Sequence, residues 1–93
     1  MTHLILEQSF DVPLTDDEHS RVAQRLDPCL EVHGARWVRS YLSSDRLRMV
    51  CEFEAPDAEA VRQSYRTAGI QFDRVWSAEV YARETIATAT STT

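Results

Sequence analysis

Apolar and polar positions along this chain fall into two rhythms. Period two marks strands, because side chains alternate across a pleated backbone, and a spacing near 3.6 marks helices. The clearest period-two stretch runs from Arg36 to Ala55, two alternating runs joined at Ser44-Asp45. It predicts a β-hairpin in which Ser43 pairs with Arg46. Val38, Ser40, Leu42, Leu47, Met49, Cys51 and Phe53 then share a nearly apolar face that belongs under helices. Trp37, Arg39, Tyr41, Arg48, Val50, Glu52 and Glu54 share the other face, too aromatic for plain solvent and too charged for a plain core. A one-residue slip would exchange the faces of one strand, so the pattern itself constrains the pairing.

The rest of the chain supplies four more elements. Thr2 to Phe10 predicts a first strand, with Leu4, Leu6, Gln8 and Phe10 set against His3, Ile5 and Glu7. Thr15 opens a helix as N-cap, with Glu18 three residues on as capping-box partner and acids near the positive helix end. Val22, Leu26, Cys29, Leu30 and His33 continue as its apolar stripe. Pro28 either kinks this helix or opens a second short turn capped by Asp27, and Gly34 suits its C-terminus. Asp57 caps a second helix whose stripe is Ala58, Val61, Tyr65 and Ala68, closed by Gly69. A last strand is expected between Phe72 and Glu84, best seen in Ala78 to Ala82. The order strand, helix, strand, strand, helix, strand, with right-handed crossovers, predicts an α+β ferredoxin-like βαββαβ fold. Residues 1–85 form the domain, and the Ala/Thr/Ser-rich residues 86–93 are expected to be a disordered tail. Both helices lie on one face of a four-stranded antiparallel sheet. Trp37, Tyr41, Val50, Ile5 and Tyr81 are expected on the bare face, which predicts a homodimer that covers it.

Composition narrows the function. The formal net charge of −5 argues against nucleic acid, whose phosphates ask for clustered cations. All ten basic side chains are arginine. No apolar run approaches the roughly 20 residues of a membrane helix, and the start lacks the basic and apolar regions of a signal peptide. A cytoplasmic protein with Cys29 and Cys51 reduced is the expectation. With no CxxC, HExxH or glycine-rich phosphate loop, no motif names a reaction.

Two kinds of site can be built from the residues. Cys29 and His33 stand at i, i+4, and both could reach one metal ion; equally, both lie on the apolar stripe, where cysteine acts as a small hydrophobe. His19 follows Asp16 by one turn among further acids, a plausible set for Ni²⁺, Zn²⁺ or Cu²⁺ or else a solvated helix start. His3 has Glu7 or Glu84 as candidate neighbours. The alternative is a small-molecule or catalytic pocket of the dimeric α+β barrel type. Its residues would be Glu7, Trp37, Arg39, Tyr41, Arg48 and Glu52 on the bare face. Interface ion pairs are the simpler use of those same charges.

Leu6-Glu7, Arg36 to Tyr41, Met49 to Asp57, Ala60 to Arg62 and Ala68-Gly69 together give a W-x-x-S-Y and C-x-x-E-A-P-D pattern. This resembles a small bacterial ferredoxin-like family, formerly catalogued as a domain of unknown function and now labelled nickel-binding protein. The resemblance spans roughly Leu4 to Tyr81. It implies a dimeric ferredoxin-like fold, Ni²⁺ as the bound ion, a role in metal sequestration or tolerance, and no established catalysis. The matching positions are Glu7, Trp37, Ser40, Tyr41, Cys51 and Glu54. Many members carry a histidine in the second helix about where Ser64 stands, a departure that removes one potential ligand here.

Overall fold

A computed structural model describes residues 1–83. The expected tail at 86–93, and Glu84 as a neighbour of His3, lie outside the described residues. The elements are β1 (Thr2–Ser9), α1 (Asp16–Val32), β2 (Arg36–Leu42), β3 (Arg48–Ala55), α2 (Ala58–Ala68) and β4 (Arg74–Ser77). One antiparallel sheet has the strand order β2-β3-β1-β4. This is the expected ferredoxin-like βαββαβ fold.

The core forms where the two rhythms meet. Leu4 and Leu6 of β1, Met49, Cys51, Phe53 and Ala55 of β3, and Val75 of β4 are buried beneath Leu26 and Leu30 of α1 and Val61 and Tyr65 of α2. Tyr65 sets its ring edge-to-face against Phe53 and Phe72, with centroids 6.0 and 5.7 Å apart. Thr15 accepts from the Glu18 amide and Asp57 from the Ala60 amide, so both predicted N-caps form. Both helices end the same way. The Gly34 and Gly69 amides donate to Glu31 and Arg66, and the next amides, of Ala35 and Ile70, reach back to Leu30 and Tyr65. This pair of bonds needs a left-handed residue, and φ is 69° at Gly34 and 72° at Gly69. Pro28 sits within one continuous α1. Pro28 has no amide to donate to the Gln24 carbonyl one turn back, and Gln24 lies on the exposed side of the helix.

Three sequence expectations change. The hairpin turn is longer: Leu42 pairs with Met49, and Ser43 donates to the Arg48 carbonyl. Because the register moves by two residues, the parity of β3 survives. Second, β2 carries a bulge at Val38, since Trp37 stands opposite Phe53 while Arg39 stands opposite Glu52. The extra residue turns Trp37 onto the helix-side face and places Arg36 on the bare one. Third, β4 is Arg74–Ser77, not Ala78 to Ala82. Antiparallel pairing of Leu4 with Ser77 leads the chain past Thr2, where β1 begins, so later residues have no strand to pair with. Tyr81 and Glu79 therefore lie beyond the sheet, and Trp76 takes the aromatic position on the bare face.

Candidate functional site

On the bare face, neighbouring strands bring acids and bases into pairs. His3 on β1 reaches across to β3, its Nε2 lying 3.0 Å from Oε2 of Glu52. Arg39 on β2 approaches the other Glu52 oxygen at 3.6 Å. Glu52 is the most enclosed of these carboxylates, with 15% of its side chain exposed. Next to it, Arg36 donates to Glu54, and that hydrogen bond holds the Glu54 carboxyl below the usual carboxylate range. On the β4 side one oxygen of Glu7 lies 3.0 Å from Arg74 Nε in an ion pair and accepts from the Trp76 indole at 2.8 Å. Ile5, Tyr41 and Val50 fill the spaces between these charges. Charged pairs set among apolar groups make a surface that is costly to leave in water and costly to cover unless every charge keeps its partner.

The other predicted metal ligands lie apart from this row. His19 lies on the sheet-facing side of α1 and lines two cavities beside Gln8, Val22 and Met49. Asp16 turns away from it toward Arg46, whose Nη2 lies 2.6 Å from Oδ1 of Asp16. Cys29 and His33 are both half-buried; the Cys29 thiol donates to the Arg25 carbonyl at 3.7 Å, and His33 is the C-cap of α1. Ser64 is fully buried, and its one hydroxyl proton is shared between the Ala60 carbonyl at 2.8 Å and the Cys29 carbonyl at 3.2 Å, so it links α2 to α1. No group of three or more His, Cys, Asp or Glu side chains converges among the described residues. The closest approach to a metal site is the His3–Glu52 pair.

Of the residues proposed for a small-molecule pocket, Glu7, Tyr41 and Arg48 line one open hollow of about 330 Å³, and Arg39 and Glu52 stand beside each other further along the sheet. Trp37 is on the opposite face. Its indole donates to the Ser40 hydroxyl at 2.9 Å, and it roofs a cavity above Cys51, Phe53 and Tyr65. Sequence reading passed over Arg36, Arg74 and Trp76. The alternation in Arg74-Val75-Trp76-Ser77 was the available signal, with Val75 buried between two outward residues.

Comparison with known proteins places the chain in a family and supports its fold. A family model described as the nickel-responsive protein SCO4226-like family matches residues 4–77. The crystal structure of SCO4226 from Streptomyces coelicolor A3(2) superposes with a TM-score of 0.77 at 19% identity, covering 86% of this chain and 99% of that one. No curated protein matches. No helix is long and apolar enough to cross a membrane among the described residues.

Proposed function

The chain belongs to the SCO4226-like family of nickel-responsive proteins, and from that premise we propose that it binds Ni²⁺, for sequestration or tolerance of the metal. The His3–Glu52 pair carries the reading. Metal–donor bonds of about 2.1 Å set at right angles hold neighbouring donors about 3.0 Å apart, the spacing of an octahedral edge. Nε2 of His3 and Oε2 of Glu52 already stand 3.0 Å apart. An ion entering there replaces a hydrogen bond without spreading its donors, and Arg39 remains to orient the free oxygen of Glu52.

Two protein donors hold a divalent ion weakly. A homodimer joined through the bare faces would bring a second pair near the first, and Ile5, Tyr41, Val50 and Trp76 supply the apolar surface that favours such a union. His19, with Asp16 close in sequence, and Cys29 with His33 remain secondary metal candidates, each lacking a third donor. The alternative reading, a small ligand on the bare face, is supported by the hollow at Glu7, Tyr41 and Arg48, whose volume falls in the range of about 300–1,000 Å³ usual for ligand pockets.

Calorimetric titration of tag-free protein with Ni²⁺ tests the proposal. His3→Ala and Glu52→Gln are each expected to weaken binding at least tenfold, with His19→Ala and His33→Ala changing it less. Absence of binding below millimolar Ni²⁺, or unchanged binding in both His3→Ala and Glu52→Gln, refutes it. Sedimentation at increasing concentration tests the homodimer separately.

A further inference from the structure

Helix α1 is tied by hydrogen bonds near both ends, and between them Leu26 packs into the core. At its start, the Leu14 amide donates to the Arg46 carbonyl, and the Arg46 guanidinium holds the Leu14 carbonyl and Asp16. Near its other end, Ser64 binds the Cys29 carbonyl. The span between carries His19, Val22 and Leu26 over two adjoining cavities. One, of about 60 Å³, lies beneath Trp37 and is lined by Ser40, Cys51, Phe53 and Tyr65. The other, of about 660 Å³, opens toward Phe10, Leu14, Arg25 and Ile70. Gln8, His19, Val22 and Met49 line both, so the two cavities adjoin at these four side chains.

The narrow end is mostly apolar, and the one acid that lines it is the exposed Asp27. Burial raises the Cys51 thiol and the Tyr65 hydroxyl, each of which has the other as a neighbour, so neither carries charge near neutrality. A cavity of about 150 Å³ takes the six carbons of benzene; by that ratio the narrow end takes about two or three heavy atoms, the tip of a chain. The wide end is charged. There Arg21 is paired with Glu18, while Arg25 makes no ion pair among the described residues and stands with His19 and the acids Asp11 and Glu18. Gln8, 6% exposed, donates to the Gln71 carbonyl and forms the polar floor where the two cavities meet.

We propose that the groove beneath α1 binds a small amphipathic organic acid, its apolar tail passing under His19 and Val22 toward Trp37 and its carboxylate held at the wide end by Arg25. The site is on the helix side of the sheet, separate from His3 and Glu52. An elongated ligand follows from the shape, because the narrow end alone admits too little and the wide end supplies the length. The carboxylate is placed at the wide end because Arg25 stands there, whereas the narrow end presents the acid Asp27.

Octanoate and 1-octanol, which share a chain and differ in head charge, are suitable probes. Titration of the ¹⁵N-labelled protein with octanoate is expected to move the amides of Val22, Leu26, Trp37 and Cys51 saturably. In Trp76→Phe, where Trp37 is the sole indole, emission should change with the same midpoint. Arg25→Ala should weaken octanoate binding at least fivefold, and Ala23→Phe, placed at the rim of the narrow end, should abolish the Trp37 response. 1-Octanol is expected to bind at least fivefold more weakly. No saturable shift, shifts confined to the bare face, or equal binding of 1-octanol overturns the proposal. The wild-type amide map decides the location even if a variant fails to fold.

Discussion

Arg46 offers a sharp test of how the helix layer is attached. Its backbone is left-handed, with φ 63°, the sole such non-glycine residue among those described. Its Nε donates to the Leu14 carbonyl at 2.5 Å and its Nη2 to Asp16 at 2.6 Å. Arg46→Ala removes both bonds and keeps the strained backbone. A hydrogen bond from a charged donor contributes about 1.5–3 kcal/mol. The pair with Asp16, whose side chain is 95% exposed, adds at most a few tenths, within the range of about 0–1 kcal/mol for surface pairs. The expected loss in Arg46→Ala is therefore about 2–3 kcal/mol. Arg46→Gly removes the same bonds but relieves a left-handed strain of about 1–2 kcal/mol, against an entropic penalty of about 0.5–1 kcal/mol for glycine. It should be more stable than Arg46→Ala by roughly 0.5–1 kcal/mol, the difference of those two magnitudes. Urea unfolding of the two variants, with Asp16→Ala as control, measures this. An Arg46→Gly protein no more stable than Arg46→Ala, or an Asp16→Ala loss as large as that of Arg46→Ala, would refute the reasoning.

Two other outcomes follow from named groups. Cys51 is 3% exposed and its thiol is raised by burial, so under native conditions at pH 8 iodoacetamide should modify half-buried Cys29 first. Mass spectrometry should show the second adduct forming quickly once urea is added, and equal labelling rates in the native protein would contradict the assigned burial. Glu54 is held below its ordinary value of 4.5 by Arg36, so the folded state releases this proton more readily than the unfolded one. The stabilisation is present above about pH 4.5, the unfolded value, and is lost as pH falls through the folded value. Glu54→Gln should flatten the acid limb of a stability-versus-pH curve below about pH 4.5, and an unchanged limb would count against the pair.

The fold was legible wherever local chemistry decides. Thr15, Asp57, Gly34 and Gly69 each announce a helix end by a property of their own side chain or backbone. Parity in Met49, Cys51 and Phe53 identifies the covered face even though the turn is longer than expected. What stayed hidden depends on counting or on distance. A bulge adds one residue without breaking a string such as Arg36-Trp37-Val38-Arg39, so the side of Trp37 could not be read. The end of β4 is set by where β1 starts, more than seventy residues earlier. Likewise the partners of His3 and Asp16 lie 49 and 30 residues away, on strands or turns whose register had first to be known. The candidate histidines were visible, but that His3 alone among them meets an acid of the described residues, Glu52, was not.

The irregularity at Val38 has a further consequence for how copies of this chain meet. An outermost strand with an unbroken row of free amides and carbonyls templates the addition of further strands, the route to open-ended fibrils. Here one outer strand, β2, has its row interrupted by the bulge, and the other, β4, offers only four residues. Neither rim of the sheet provides a long template, so growth by lateral accretion is suppressed at both borders. The same extra residue that moves an indole to the helix side of the sheet thus acts as a safeguard against polymerisation.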